Sequence, residues 1–129
     1  LISDMSLNDN IFLLTDLSND EVRCAYSNCA LLAFPSSYEG FGIPILEAMV
    51  AGKPMVLSDL EIFREITQNQ SVYFDEGNVE AMADAIEIGL CSQKVRDDMV
   101  EYGFHRMHDF EFGHLANRLC RLYRAHLLK

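Results

Sequence analysis

The sequence predicts an α/β domain: a parallel sheet flanked by helices and finished by a helical tail. Three observations carry that expectation. Short, continuously apolar runs at Ile11–Leu14, Ala30–Phe34, Met55–Leu57 and Val72–Phe74 have the character of strands buried on both faces. Stretches with helical periodicity separate these runs, the alternation that builds parallel sheets. From Asn78 onward the periodicity is helical only.

Each element has a local reason. Leu1–Asn10 is mixed in character and is expected to close something that began upstream. Thr15–Asn19 supplies turn and cap chemistry, and Ser18 followed by Glu21 has the spacing of a capping box. A helix over about Asn19–Cys29 follows, with Val22, Ala25, Tyr26 and Cys29 as its apolar stripe. Pro35 and two serines stop the next strand. Pro44 suits the first position of a helix, where its missing N–H costs nothing, and Gly52 and Pro54 end that helix. Ser58-Asp59 reads as a turn, Glu61–Thr67 as a short helix, and Asp75–Asn78 as the close of the last strand. Three further stripes follow: Val79, Met82, Ala83, Ile86 and Leu90; Val95, Met99 and Tyr102; and Leu115, Leu119, Leu122 and Tyr123. No linker, repeat or low-complexity segment interrupts the pattern.

Composition narrows the function classes. At 129 residues the chain is one domain long. Apolar residues at 50% and charged residues at 23% indicate a folded core rather than disorder. A formal charge of −10 argues against general nucleic-acid binding, which needs Lys and Arg for phosphate neutralisation. Cys24, Cys29, Cys91 and Cys120 lack metal-like spacing and read as free buried thiols in a reducing compartment. No apolar run reaches the length of a membrane span, and Leu1–Asn10 lacks a signal-peptide pattern. The first residue is not Met, so a fragment is expected.

The segment with the most chemistry is the strand-to-helix loop Ser36–Ile43. In an open α/β sheet ligands gather at the carboxyl ends of the strands. Gly40 and Gly42 let a ligand approach the backbone. The helix opening near Pro44 turns its free N–H groups and positive dipole end toward the loop, which suits a phosphate. Glu39 and Glu47 flank this cradle as acceptor-only carboxylates, suited to sugar or ribose hydroxyls. Spacing alone leaves plainer readings open, with Glu47 complementing the helix dipole and Glu39 an exposed loop acid. The dinucleotide fingerprint is absent, because Ile45 stands at its third glycine position, and there is no Walker A sequence.

The string Pro35-Ser36-Ser37-x-Glu39-Gly40-Phe41-Gly42-Ile43-Pro44-x-Leu46-Glu47-Ala48-Met49-x-x-Gly52-x-Pro54 closely resembles the donor-site signature of the GT-B glycosyltransferases, in particular the family 4 enzymes. Leu14–Val22 before it, and Phe63–Ile66 and Tyr73–Asp75 after it, resemble the flanking family segments, so the resemblance covers nearly the whole chain. It implies a Rossmann-like sheet belonging to the C-terminal half of a GT-B enzyme. Residues 1–129 would be a partial nucleotide-sugar-binding domain, with the helical tail from about residue 78. It implies that Glu39, the candidate catalytic residue, lies against the transferred sugar and its phosphate. Whether Glu39 stabilises an oxocarbenium-like transition state or only orients the sugar stays open. The backbone of Gly40, Phe41, Gly42 and Ile43 would face sugar hydroxyls and diphosphate, and Glu47 would bind the ribose hydroxyls. Thr15 and Asp16 fall where the family places a base-contacting loop, although Thr15 stands where Gly is common.

The resemblance further implies a retaining hexosyl transfer from a UDP- or GDP-hexose, with no metal or other cofactor and no nucleic-acid partner, in polysaccharide biosynthesis. The acceptor, a glycan or lipid, would be held by an N-terminal domain that these residues lack. The βα units that supply basic residues for the diphosphate are also lacking, and Arg23, Lys53 and Arg64 read as solvated surface. The Ile11–Leu14 strand would lie beyond missing strands, so it is expected either to pair abnormally or to leave an open edge covered in a homodimer. Leu115, Leu119 and Leu122 would face either the missing domain or their own sheet. His105, His108, His114 and His126 read as surface residues. A cytoplasmic location, peripheral to the membrane in a full-length enzyme, is expected. A non-catalytic nucleotide-sugar-binding or scaffold piece is the competing reading, and an unrelated doubly wound signalling domain is disfavoured because no acidic cluster follows a first strand.

Overall fold

The computed structural model describes residues 1–127. Three parallel strands, β1 (Leu32–Phe34), β2 (Met55–Ser58) and β3 (Val72–Phe74), form a sheet in the order β1-β2-β3. The register sets Phe34 opposite Leu57, and Leu57 opposite Tyr73. Helices α1 (Asn19–Asn28), α2 (Ile43–Val50), α3 (Glu61–Thr67) and α4 (Val79–Cys91) surround it. A tail of α5 (Gln93–Met107), a 3-10 turn (His108–Phe110) and α6 (Phe112–Leu127) follows.

Strand alternation divides the core in two. Leu32, Phe34, Met55, Leu57 and Tyr73 point to the side where Ile45, Ala48, Met49, Phe63 and Ile66 of α2 and α3 pack. Ala33, Val56, Val72 and Phe74 point to the other side, against Ala81, Met82, Ala85 and Ile86 of α4. All four residues of β2 are buried, because it alone has a strand on each side. Buried Ser58 and Thr67 are satisfied by carbonyl oxygens: Ser58 Oγ donates to Ser36 O at 2.5 Å, and Thr67 Oγ1 to Phe63 O at 2.7 Å.

The capping box of α1 forms as expected. Glu21 N–H donates to Ser18 Oγ at 3.3 Å, and Ser18 N–H donates to a Glu21 carboxylate oxygen at 2.8 Å. Ser58 ends β2 instead of opening a turn. On α4 the buried face is Ala85 and Gly89 rather than the expected Val79, Ala83 and Leu90, which are exposed. The helix lies so close to the sheet that a Cβ at Gly89 would stand 2.9 Å from Leu31 Cδ1 and 3.1 Å from Val56 Cγ1, so small residues make the contact.

Three other expectations are corrected. Ile11–Leu14 is not a strand: it runs irregularly and unpaired, and Phe12, Leu13 and Leu14 are 74%, 79% and 67% exposed. A strand buried on both faces needs hydrogen-bonded neighbours, and among the described residues none lies beside this run; the free edge of β1 stays open. The tail helix α6 does not pack on the sheet: its main neighbour is the 3-10 turn, and Leu115, Leu119, Leu122 and Tyr123 are exposed. The cysteines are free, but Cys24, Cys91 and Cys120 are exposed rather than buried, and only Cys29 is half-buried. No helix among the described residues is long and apolar enough to cross a membrane.

Candidate functional site

The loop between β1 and α2 leaves the carboxyl edge of the sheet and is fixed from below. Ser58, at the end of β2, holds the Ser36 carbonyl. Ser36 Oγ in turn reaches a Glu39 carboxylate oxygen at 3.2 Å and the Tyr38 carbonyl at 3.1 Å. Glu39 is therefore half-buried and oriented through two serines anchored in the sheet. Sequence reasoning gave neither serine a role, because Ser36 and Ser58 meet only through the register of β1 with β2.

The two glycines differ. Gly42 is the N-cap of α2 with φ +88°, a left-handed conformation, and a Cβ there would meet Phe63 Cε1 at 3.0 Å. The fold itself requires glycine at this position. A Cβ at Gly40 would meet nothing within 4 Å, so the protein's own packing makes no such demand there. No side chain caps α2; Pro44 has no N–H and Ile45 N–H donates to Gly42 O at 3.0 Å, so Ile43 N–H is the first-turn amide left to a ligand or water. Ile43 opens the helix with its side chain 62% exposed. The Phe41 ring is occupied: it stands edge-to-face on Phe110 of the tail, with centroids 6.0 Å apart, and the Arg106 guanidinium lies over the far ring at 4.8 Å. Phe41 nonetheless stays 44% exposed.

Glu47 is the fifth residue of α2, beyond the first turn. The dipole field has faded there, so complementing the helix terminus does not account for it. Its side chain lines a groove of about 520 Å³ between α1 and α2, with Asn19, Val22, Arg23, Tyr26, Ser27, Leu46, Val50 and Ala51. Burial first, and then the neighbouring Glu47 carboxylate, hold the Tyr26 phenol well above its ordinary pKa. Tyr26 was read only as part of an apolar stripe; a hydroxyl-bearing ring at the edge of such a stripe was the available signal. A wider depression of about 580 Å³ along α4 is lined by Asp84, Glu87, Ile88, Cys91 and Ser92 and includes nothing from the loop.

Thr15 and Asp16 are exposed, with Asp16 at φ +56°, and no hydrogen bond among the described residues joins them to the loop. They lead into Asn19, at one end of the groove. The basic residues near the site have local partners. Lys53 Nζ donates to Ser27 O at 2.8 Å, Arg23 pairs with Asp20 at 3.1 Å, and Arg64 bonds both Asp59 oxygens at 2.5 and 2.7 Å. No three His, Cys, Asp or Glu side chains converge as metal ligands among the described residues.

Residues 1–106 match the glycosyl transferases group 1 family, and the chain belongs to that family. Over 87 residues it is 33% identical to an O-antigen chain mannosyltransferase of Salmonella typhimurium, covering 67% of this chain and 25% of that protein. It is 33% identical to a phosphatidyl-myo-inositol mannosyltransferase of Mycobacterium leprae, covering 66% and 23%. The sucrose-phosphate synthase structure from Thermosynechococcus elongatus superposes with a TM-score of 0.82 at 22% identity, over 96% of this chain and 32% of that one, which shows the shared fold. The chain thus spans about a quarter of the length of these curated relatives.

Proposed function

We propose that this chain is the donor-binding part of a retaining, metal-independent glycosyltransferase that takes a nucleotide-activated hexose. The observation that carries the reading is the loop's construction. An oriented Glu39, an unobstructed Gly40 and an uncapped helix N-terminus share one strand end, and Glu47 opens into a groove large enough for a nucleoside. In this reading Glu39 faces the hexose, the backbone of Gly40, Phe41, Gly42 and Ile43 faces the sugar and diphosphate, and Glu47 accepts from the ribose hydroxyls. Thr15 and Asp16 approach the base from the Asn19 end. As the hexose departs, negative charge collects on the nucleoside diphosphate, where the Ile43 N–H and the positive end of the α2 dipole meet it.

The relatives named as mannosyltransferases favour mannose as the hexose. A glycan or lipid acceptor would be held by a domain outside these residues, with transfer at the cytoplasmic side of the membrane. The open β1 edge and the exposed Ile11–Leu14 support self-association of this chain taken alone.

Thermal melts with UDP, GDP and their hexose conjugates test the reading. One base should raise the melting temperature, its hexose conjugate should raise it further, and Glu39→Ala should remove only the hexose increment. Melts unmoved by every nucleotide would refute it.

A further inference from the structure

Tyr26 is a residue that the donor-loop signature leaves without a role. Helix α1, which carries it, is tied to the α2–β2 connection by Lys53 Nζ, which donates to Ser27 O at 2.8 Å. The groove between the helices therefore has a set width. Val22, Leu46 and Val50 give it apolar walls, and Asn19, Arg23, Tyr26 and Glu47 give it polar groups. The Tyr26 ring packs on the cluster that contains Ile45, Met49 and Phe63. Its phenol end shares the groove with Glu47.

The chemistry allows one complementary arrangement. A carboxylate only accepts, and a protonated phenol can donate. A tyrosine phenol is protonated at neutral pH. Arg23 is not the competing donor, since its guanidinium is turned to Asp20. The geometry points to Tyr26 as a positioning residue for Glu47: from the same groove its hydroxyl can donate to one carboxylate oxygen, so that the other is presented to the ribose hydroxyls of the nucleotide. This rests on the nucleotide reading above. It adds α1 to the site and makes ribose recognition depend on a residue that touches no ligand atom.

The test measures hydroxyl discrimination. The chain is titrated by NMR with UDP and GDP and with their 2′,3′-dideoxy analogues. The wild type should prefer the ribonucleotide by about tenfold, the size expected for hydrogen bonds to a charged group. Tyr26→Phe keeps the ring and should bring the preference to about threefold or less, with the dideoxy affinity unchanged. Glu47→Ala should abolish the preference, and adding Tyr26→Phe to it should change nothing more. A full preference in Tyr26→Phe, or equal weakening of both nucleotides, overturns the positioning role and leaves the nucleotide reading standing. A wild type that binds no nucleotide overturns that reading itself.

Discussion

Met55–Ser58 and Ile11–Leu14 are both short aliphatic runs, and they meet opposite fates. The first lies between two strands with helices over both faces, and every residue of it is buried. The second has no neighbour and leaves three of its four side chains at least two-thirds exposed. The same contrast separates α2, whose Ile45, Ala48 and Met49 are buried, from α6, a longer and strongly amphipathic helix with none buried. Apolar pattern states what a segment can bury; neighbours decide whether it does. The middle of the chain, from β1 through β3, buries a core around β2, and its two ends carry apolar surface that these residues do not cover.

Substitutions can break or sharpen that contrast. Phe63→Ala should cost most, about 3–5 kcal/mol in chemical denaturation, because Phe63 is fully buried, stacks on Phe34 at 5.3 Å and roofs Gly42. Gly42→Ala comes next at about 1–3 kcal/mol, from the left-handed backbone and the Phe63 ring beside it. It should also weaken nucleotide binding, since it moves the start of α2. Ser18→Ala removes the α1 cap and should cost about 1 kcal/mol. The cap also has a pH signature: its hydrogen bonds to Ser18 hold the Glu21 carboxyl below its ordinary value of 4.5. A depressed folded-state pKa contributes stability that is present above the unfolded value and lost as pH falls through the folded one, so the α1 cap should open only below pH 4.5. Chemical shifts of Ser18 and Glu21 across an acid titration would check this. Least of all, Leu119→Ser on α6 should leave stability within about 0.5 kcal/mol of wild type, where the same change at Leu57 would not. A large loss at Leu119 would mean that α6 is packed after all.

What the sequence disclosed follows the range of the interactions involved. Glu61–Thr67 and Val72–Phe74 appear with their expected bounds, and the Ser18–Glu21 box was readable because both partners lie within one turn. The loop with Glu39, the two glycines and Glu47 was legible as a string. Its supports were not: Ser36 meets Ser58, Phe41 meets Phe110, and Tyr26 shares a groove with Glu47 across distances in sequence that no local pattern encodes. The dipole explanation of Glu47 depended on where α2 begins, and a start at Ile43 removed it. Ile11–Leu14 was misread for the complementary reason, because its strand character depends on a partner beside it.

The edge-to-face contact between Phe41 and Phe110 has a thermodynamic consequence. Phe110 belongs to the short turn that ends α5 and leads into α6, so the ligand loop and the uncovered tail helix share a joint. If gripping α6 shifts that joint, linkage makes the effect mutual. Whatever factor the grip applies to the loop's affinity for its ligand, the ligand applies to the strength of the grip. On the proposed function, a bound donor would then be felt at the far end of the tail as a change in how firmly α6 is gripped.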